Sequence, residues 1–286
     1  MSSTSRRGFL KATAAVAAAT VANAGRLAAK PVGAPIGLQL YSVHDLLPKD
    51  FDGTLAKVRA AGYTQVETAG YHGRTAAEFL KAMQKSGLHC ISALHPLKEF
   101  EEHGEALIEY GRALGIETLL CMAPGRRDPS LKGPMTLDDW RWTADKFNRI
   151  GAKVKDAGMS FAYHNDIQEF GVEGGVVFYD ELLRLTDPKL VCFELDCGWA
   201  FAGGANPATI LRKSPERFPL LHVKDMVKGE NGEYHSTVMG RGVIDYRPIL
   251  RAATNLKLRI LEQEVFQMDV MESLRLDAEY VRELSF

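Results

Sequence analysis

From about residue 34 to the C-terminus, short apolar runs alternate with longer stretches in which apolar positions recur at helical spacing. The short runs predict strands over 36–41, 64–68, 89–95, 117–122, 159–164, 190–196, 219–223 and 258–262. The longer stretches between them predict helices over segments such as 52–61, 76–86, 99–114, 137–157 and 177–186. Gly62, Gly87, Gly115 and Gly158 each stand just past the last apolar turn of such a segment, where a left-handed residue ends a helix and leads into a strand. Four stops in phase mark one repeated unit. Eight strand-helix units in about 255 residues predict an α/β protein of one domain, a (β/α)8 barrel. A doubly wound open sheet is the structural alternative, and no Gly-x-Gly-x-x-Gly loop follows the first strand to support its dinucleotide-binding form. Long loops are expected over 124–134 after the fourth strand and around Gly229–Gly232 after the seventh, and loops after strands sit at the catalytic face of such a barrel.

Residues 1–30 break this pattern and read as a targeting segment. Arg6-Arg7 with Phe9-Leu10-Lys11 behind them precede a weakly apolar, alanine-rich stretch too short to span a bilayer. Ala22-Asn23-Ala24 then offers a small-residue cleavage site. The segment is expected to be a twin-arginine signal that engages the twin-arginine export machinery and delivers residues 31–286 folded to the periplasm. A cytosolic protein with an alanine-rich arm is the plainer alternative.

Composition is ordinary for a globular chain, with 46% hydrophobic and 25% charged residues. With 35 basic and 36 acidic residues the formal net charge is −1, so no long-range basic field is available for nucleic acid or an anionic membrane. A small, weakly charged ligand fits better, and a homo-oligomer is left open. Cys90, Cys121, Cys192 and Cys197 are too few and too scattered for a disulfide framework, and none forms a C-x-x-C zinc pair.

Candidate chemistry is positional. Glu67, His95, His164, Asp196, His222 and Glu262 fall at the C-terminal ends of six predicted strands, and in a barrel those ends converge on one mouth. A single His or Glu at a strand end is more often a satisfied polar group or a cap. Six in phase point to a site. A His/Asp/Glu set without cysteine suits a divalent ion, manganese first, with magnesium, cobalt or zinc also compatible. Such an ion stabilises the enediolate formed when a C–H next to a carbonyl is deprotonated.

The chain also resembles the xylose isomerase-like TIM barrels known as sugar phosphate isomerases/epimerases. The resemblance rests on the stretches Gly37-Leu38-Gln39-Leu40-Tyr41-Ser42, Gly62-Tyr63-Thr64-Gln65-Val66-Glu67 and Tyr163-His164-Asn165-Asp166 with Glu169-Phe170. It continues through Phe193-Glu194-Leu195-Asp196, His222-Val223-Lys224-Asp225, Gly240-Arg241-Gly242-Val243-Ile244-Asp245 and Glu262-Gln263-Glu264. By position, it implies metal-binding roles for His164, Asp196, His222 and Glu262, with catalytic work falling to Glu262, His164, Glu67 and Lys224. Glu67 and His95 are expected on the opposite wall, facing the substrate. Lys224, two residues beyond His222, is expected to hold a substrate oxygen; a surface lysine is its plainer reading. Tyr41, Trp199 and Arg241 complete the substrate-facing candidates.

Two departures from the family pattern matter. Epimerases of this superfamily pair a glutamate on strand five with one on strand eight, whereas strand five here ends in His164. Unequal groups suit a one-sided elimination at least as well as a reversible epimerisation. The second is Asp166, where relatives more often carry histidine, so that Asp166 or Glu169 enters as an alternative ligand. The expected function is a metal-dependent isomerase or epimerase of a sugar or keto-sugar working through an enediolate. A lyase or dehydratase acting on a keto-sugar, oxidised glycoside or inosose is the alternative, and a non-catalytic periplasmic sugar-binding barrel is a second. An AP endonuclease-like phosphodiesterase needs more histidines and a basic surface. A phosphate would call for an arginine cluster or a glycine-rich helix N-terminus, for which Gly203-Gly204 is the only modest candidate.

Overall fold

A computed structural model describes residues 35–284. The predicted export signal lies outside the described residues. Eight strands close into a barrel: β1 (Ile36–Gln39), β2 (Gln65–Ala69), β3 (His89–Pro96), β4 (Thr118–Ala123), β5 (Ser160–His164), β6 (Cys192–Asp196), β7 (Leu220–Val223) and β8 (Leu258–Leu261). All neighbours run parallel, and β1 closes the ring by pairing both with β2 (Gly37↔Gln65) and with β8 (Gly37↔Ile260). Closure rules out the open doubly wound sheet.

Around the strands lie α1 (Phe51–Ala60), α2 (Ala76–Ser86), α3 (Leu97–Leu114), α4 (Leu137–Asp156), α5 (Phe178–Leu185), α6 (Cys197–Ala202), α7 (Pro207–Lys213), α8 (Tyr246–Ala252) and α9 (Val270–Glu283). Local chemistry fixes their ends. Thr75 and Glu78 form a reciprocal capping box at the start of α2, as do Thr136 and Asp139 for α4. Gly87 and Gly115 cap α2 and α3 at φ of 70° and 73°, the left-handed region where a side chain is strained. The long loop over 124–134 is present as expected. The segment after β7 is more ordered than a loop: Asp225–Lys228 pairs antiparallel with Tyr234–Thr237, and Gly229 to Gly232 form the tip of this ribbon. All four cysteines are free. No helix among the described residues is long and apolar enough to cross a membrane.

Side chains alternate across each strand. One set, including Leu38, Phe161, Tyr163, Phe193 and Leu221, packs outward against the helices. The other fills the barrel, where Leu94, Leu120, Ala162, Leu220, Leu258 and Ile260 form an apolar plug. Polar side chains of this inward set stand beside the plug and toward the mouth, and they make the site.

Candidate metal centre at the barrel mouth

His164, Asp196, His222 and Glu262 bring ligand atoms within 4.8 Å of one another, all buried. They come from the ends of β5, β6, β7 and β8. The His222 ring stands at the centre, with Nδ1 3.2 Å from Glu262 Oε2 and 3.8 Å from Asp196 Oδ2. Asp196 is fixed in two ways. Its Oδ1 accepts a hydrogen bond from the Trp199 N–H at 2.8 Å as the N-cap of α6, and its own N–H donates to Asn165 Oδ1 at 3.0 Å. The other oxygen, Oδ2, is buried and faces the cluster, with the Lys224 ammonium 3.0 Å away.

Beneath these four lies another layer of carboxylates. His222 Nε2 is 2.8 Å from Glu67 Oε1 and 3.1 Å from Glu194 Oε2, and Glu194 Oε2 is also 3.0 Å from His164 Nδ1. Gln39 Nε2 donates to Glu67 Oε1 at 2.8 Å. One glutamate therefore touches both imidazoles. A ligating histidine commonly donates its second ring N–H to a carboxylate, which fixes tautomer and orientation, and Glu67 and Glu194 stand where such partners belong. Glu67 Oε2 and Glu194 Oε1 are buried and unpartnered.

Electrostatics follow from this crowding. Burial, and then the neighbouring Glu194 charge, push the Glu67 carboxyl up to about 7. Burial acts against ionisation of Glu194 and Glu262 as well, but His222 and His164 hold Glu194 below its usual value, and Lys224 and His222 do the same for Glu262. His222 itself is driven well above the usual histidine value: burial opposes its charge, and Glu194, Asp196 and Glu262 outweigh burial.

Lys224 is fully buried. Its Nζ lies 3.0 Å from Asp196 Oδ2, 2.7 Å from Glu262 Oε2 and 2.7 Å from Glu264 Oε1, and 5.0 Å from the centre of the Trp199 ring. Gly198 makes room for it, since a Cβ there would come within 3.0 Å of the Lys224 side chain and carbonyl. Glu67, Glu194, Asp196, Glu262 and Glu264 thus share one lysine and two histidines. The mixed imidazole and carboxylate donors and this excess of carboxylates over cations fit a divalent cation held by His164, Asp196, His222 and Glu262.

Above the cluster opens a cavity of about 240 Å³ lined by Gln39, Tyr41, Met122, His164, Asp166 and Trp199, with Glu262 and Glu264 on the β8 side. Tyr41 and Trp199 thus stand where substrate-facing residues were expected. Other expected positions differ. Glu67 does not face the cavity: it has no exposed surface, pairs with Gln39 between β1 and β2, and lies one inward position deeper than Ala69, against His222. His95 is turned away from the barrel. In β3 it is Leu94 that faces inward, so His95 points to the helix layer, its ring against Tyr71 and Phe100 and its Nδ1 2.8 Å from Glu99 Oε2. Arg241 is exposed on the loop after the ribbon, with Nη1 3.9 Å from Met268 Sδ, and does not line the cavity.

Of the two alternative ligands, Asp166 lines the cavity outside the four-residue cluster, and Glu169 is folded away under the loop. Glu169 accepts hydrogen bonds from the Tyr163 hydroxyl and the Asp166 N–H, and burial raises its carboxyl to about 7. Sequence reasoning gave no role to Glu194, Glu264, Gln39 or Asn165. Glu194 carries a readable signal, standing two residues before Asp196 on β6 and so on the same face.

Comparisons with known proteins agree with the barrel fold. An inosose dehydratase of Clostridium botulinum is 26% identical over 250 residues, covering 76% of this chain and 82% of the relative. A sugar phosphate isomerase/epimerase from Parabacteroides distasonis, at 25% identity, superposes with a TM-score of 0.75 over 88% of this chain and 99% of that one. The IOLI protein, solved with a bound zinc atom, shares the fold at 12% identity, with a TM-score of 0.69 over 88% of this chain and 99% of that one. The xylose isomerase-like TIM barrel model matches residues 55–284. A closed eightfold barrel and a match across most of its length make this chain a member of the xylose isomerase-like TIM barrel family.

Proposed function

We propose that the protein is a metal-dependent enzyme that removes a carbon-bound proton next to the carbonyl of an uncharged keto-sugar or keto-polyol, and that it isomerises or epimerises its substrate by returning the proton to carbon. The observation that carries this reading is the placement of four candidate ligands, His164, Asp196, His222 and Glu262, directly below a sugar-sized cavity. When bound there, a divalent ion stabilises negative charge that develops on substrate oxygen; manganese is our first choice, with magnesium, cobalt or zinc compatible with the same donors.

The chain's own groups supply the rest. Glu262 and His164 reach the cavity floor and are the candidates to move the proton. Lys224, fully buried and held by Asp196, Glu262 and Glu264, offsets their charge and fixes Glu262 and Glu264 at the cavity wall. Tyr41 and Trp199 offer ring faces for sugar C–H groups. The charged lining of the cavity, Asp166, Glu262 and Glu264 with His164, disfavours a phosphate, and Lys224 is already engaged by three carboxylates. Non-phosphorylated substrates therefore fit better than sugar phosphates.

A second reading is dehydration, in which the proton leaves carbon and a neighbouring hydroxyl departs as water. It is favoured by the inosose dehydratase relatives and by the unequal His164/Glu262 pair. Both readings place the work in the periplasm, with export through Arg6-Arg7 as part of the proposal. Chelation followed by manganese restoration, with product analysis over a panel of keto-sugars and inososes, tests the reading. Metal-dependent turnover to an isomer supports the first version and turnover to an unsaturated or deoxy product the second; turnover that survives complete chelation overturns both.

A further inference from the structure

Seven large apolar side chains stand exposed among the described residues, and all seven lie on segments that follow barrel strands, at the mouth. None lies on an α-helix. Scattered single apolar residues are normal on a protein surface, but of these seven Tyr41 lines the cavity, and Ile167 and Val265 stand next in sequence to the lining residues Asp166 and Glu264. Tyr41 (47% exposed) belongs to both the rim and the cavity lining. Val265 and Met268 follow Glu264 on the β8 loop, and Ile167 follows Asp166 on the other wall.

The rim is also held in place. The Gln263 N–H donates to Ser42 Oγ at 3.0 Å, which ties the β8 loop to the segment carrying Tyr41. The Glu264 and Val265 N–H groups both donate to Ser236 Oγ, at 2.8 and 2.9 Å, which ties the same loop to the ribbon after β7. Tyr41 stacks on His44 at 4.4 Å, so its aromatic ring is braced. A preorganised surface of this kind loses little entropy on binding.

Size completes the argument. A cavity of about 240 Å³ falls below the roughly 300–1,000 Å³ of sites that enclose a whole drug-sized ligand. It takes one sugar ring, and any group attached to that ring must lie on the rim. An anionic attachment would stand close to Asp166 and Glu264, whereas an apolar one meets Tyr41, Val265 and Met268.

We propose that the substrate is an uncharged keto-glycoside whose oxidised sugar ring enters the cavity while an aromatic or otherwise apolar aglycone lies on the rim formed by Tyr41, Val265 and Met268. This rests on the sugar-binding reading above and names the substrate class for the same site. The test is calorimetric titration of the full-length, manganese-loaded protein with matched pairs of methyl and phenyl glycosides of glucose, galactose and mannose and their keto derivatives. Each phenyl member that binds is expected to do so about tenfold or more tightly than its methyl partner. Val265→Ser combined with Met268→Ser is expected to remove most of that gain and leave methyl glycoside binding unchanged. Equal affinities within every pair overturn the rim proposal and leave the sugar reading intact, whereas absence of binding by every member overturns both. Concentration-dependent dimerisation that the double substitution abolishes without altering the methyl-phenyl difference assigns the rim to a second copy of the chain and overturns the proposal as well.

Discussion

Replacing Glu194 by Gln tests whether the buried layer beneath the candidate ligands positions them. A single oxygen, Glu194 Oε2, lies 3.0 Å from His164 Nδ1 and 3.1 Å from His222 Nε2, so the charge of one carboxylate bears on both rings, while the closer partner of His222 Nε2 is Glu67 Oε1 at 2.8 Å. Glutamine keeps the shape and can place its carbonyl oxygen where Oε2 stands, but it carries no charge and puts an NH2 group where the buried, unpartnered Oε1 stands. The negative charge that orients both rings and raises ligand basicity is then gone. Loss of such an outer partner typically lowers metal affinity by about 10–100-fold, or about 1.4–2.8 kcal/mol at about 1.4 kcal/mol per tenfold. Glu67→Gln touches His222 but not His164 and should cost less. Competition with a chromophoric chelator measures both variants, and circular dichroism checks that the barrel is intact. If Glu194→Gln binds manganese within threefold of the parent protein, or if Glu67→Gln loses clearly more, the assignment of Glu194 as the shared partner of both imidazoles is refuted.

Three further outcomes are expected. Asp196→Ala and His222→Ala should each abolish stoichiometric metal in elemental analysis of purified protein, and undiminished metal in both would remove the proposed centre. Asp277 is lifted by burial to about 7 from 3.8, so the folded state binds its proton more tightly and stability falls as pH rises from about 4 through about 7. Asp277→Asn keeps an acceptor for the Met239 N–H and removes the buried charge, so denaturant titrations should show the variant gaining on the parent by up to about 4 kcal/mol between pH 4 and pH 8; a constant difference across that range contradicts the account. Changing Arg6 and Arg7 both to lysine should leave uncut precursor in the cytoplasm when fractions are blotted, and normal periplasmic delivery overturns the export proposal.

Much of the barrel is legible in the sequence because its repeat is strong: each strand is a short apolar run, and Gly62, Gly87, Gly115 and Gly158 punctuate the helices at positive φ. The ribbon from Asp225 to Thr237 is less legible, since its pairing depends on a turn over Gly229 to Gly232 that sequence reading treats as a loop tip. Within the site, strand ends are a good guide and strand parity a better one. His164, Asp196, His222 and Glu262 stand at strand ends and face inward, so both signals agree. His95 stands at a strand end but has the opposite parity to Leu94, and it faces the helices. Glu194 has the parity of Asp196 but lies one inward position deeper, where counting strand ends does not look, and it is found in contact with both histidines. Tyr163 and Glu169 show the other limit: the carboxylate is committed to a neighbouring hydroxyl and backbone N–H, a partnership set by how the loop folds and not by spacing.

Proton abstraction from carbon is the central claim, and turnover in deuterated water tests it most directly. Manganese-loaded protein is incubated with a turned-over keto-sugar or inosose in D2O, and recovered substrate and product are analysed by mass spectrometry and proton NMR. The account predicts solvent deuterium at one carbon next to the carbonyl, with exchange lost on chelation and reduced by at least about 10²-fold in Glu262→Gln. Complete turnover with no deuterium at any carbon and no primary isotope effect would contradict it, and would leave a hydride shift or hydrolysis as the chemistry of this barrel.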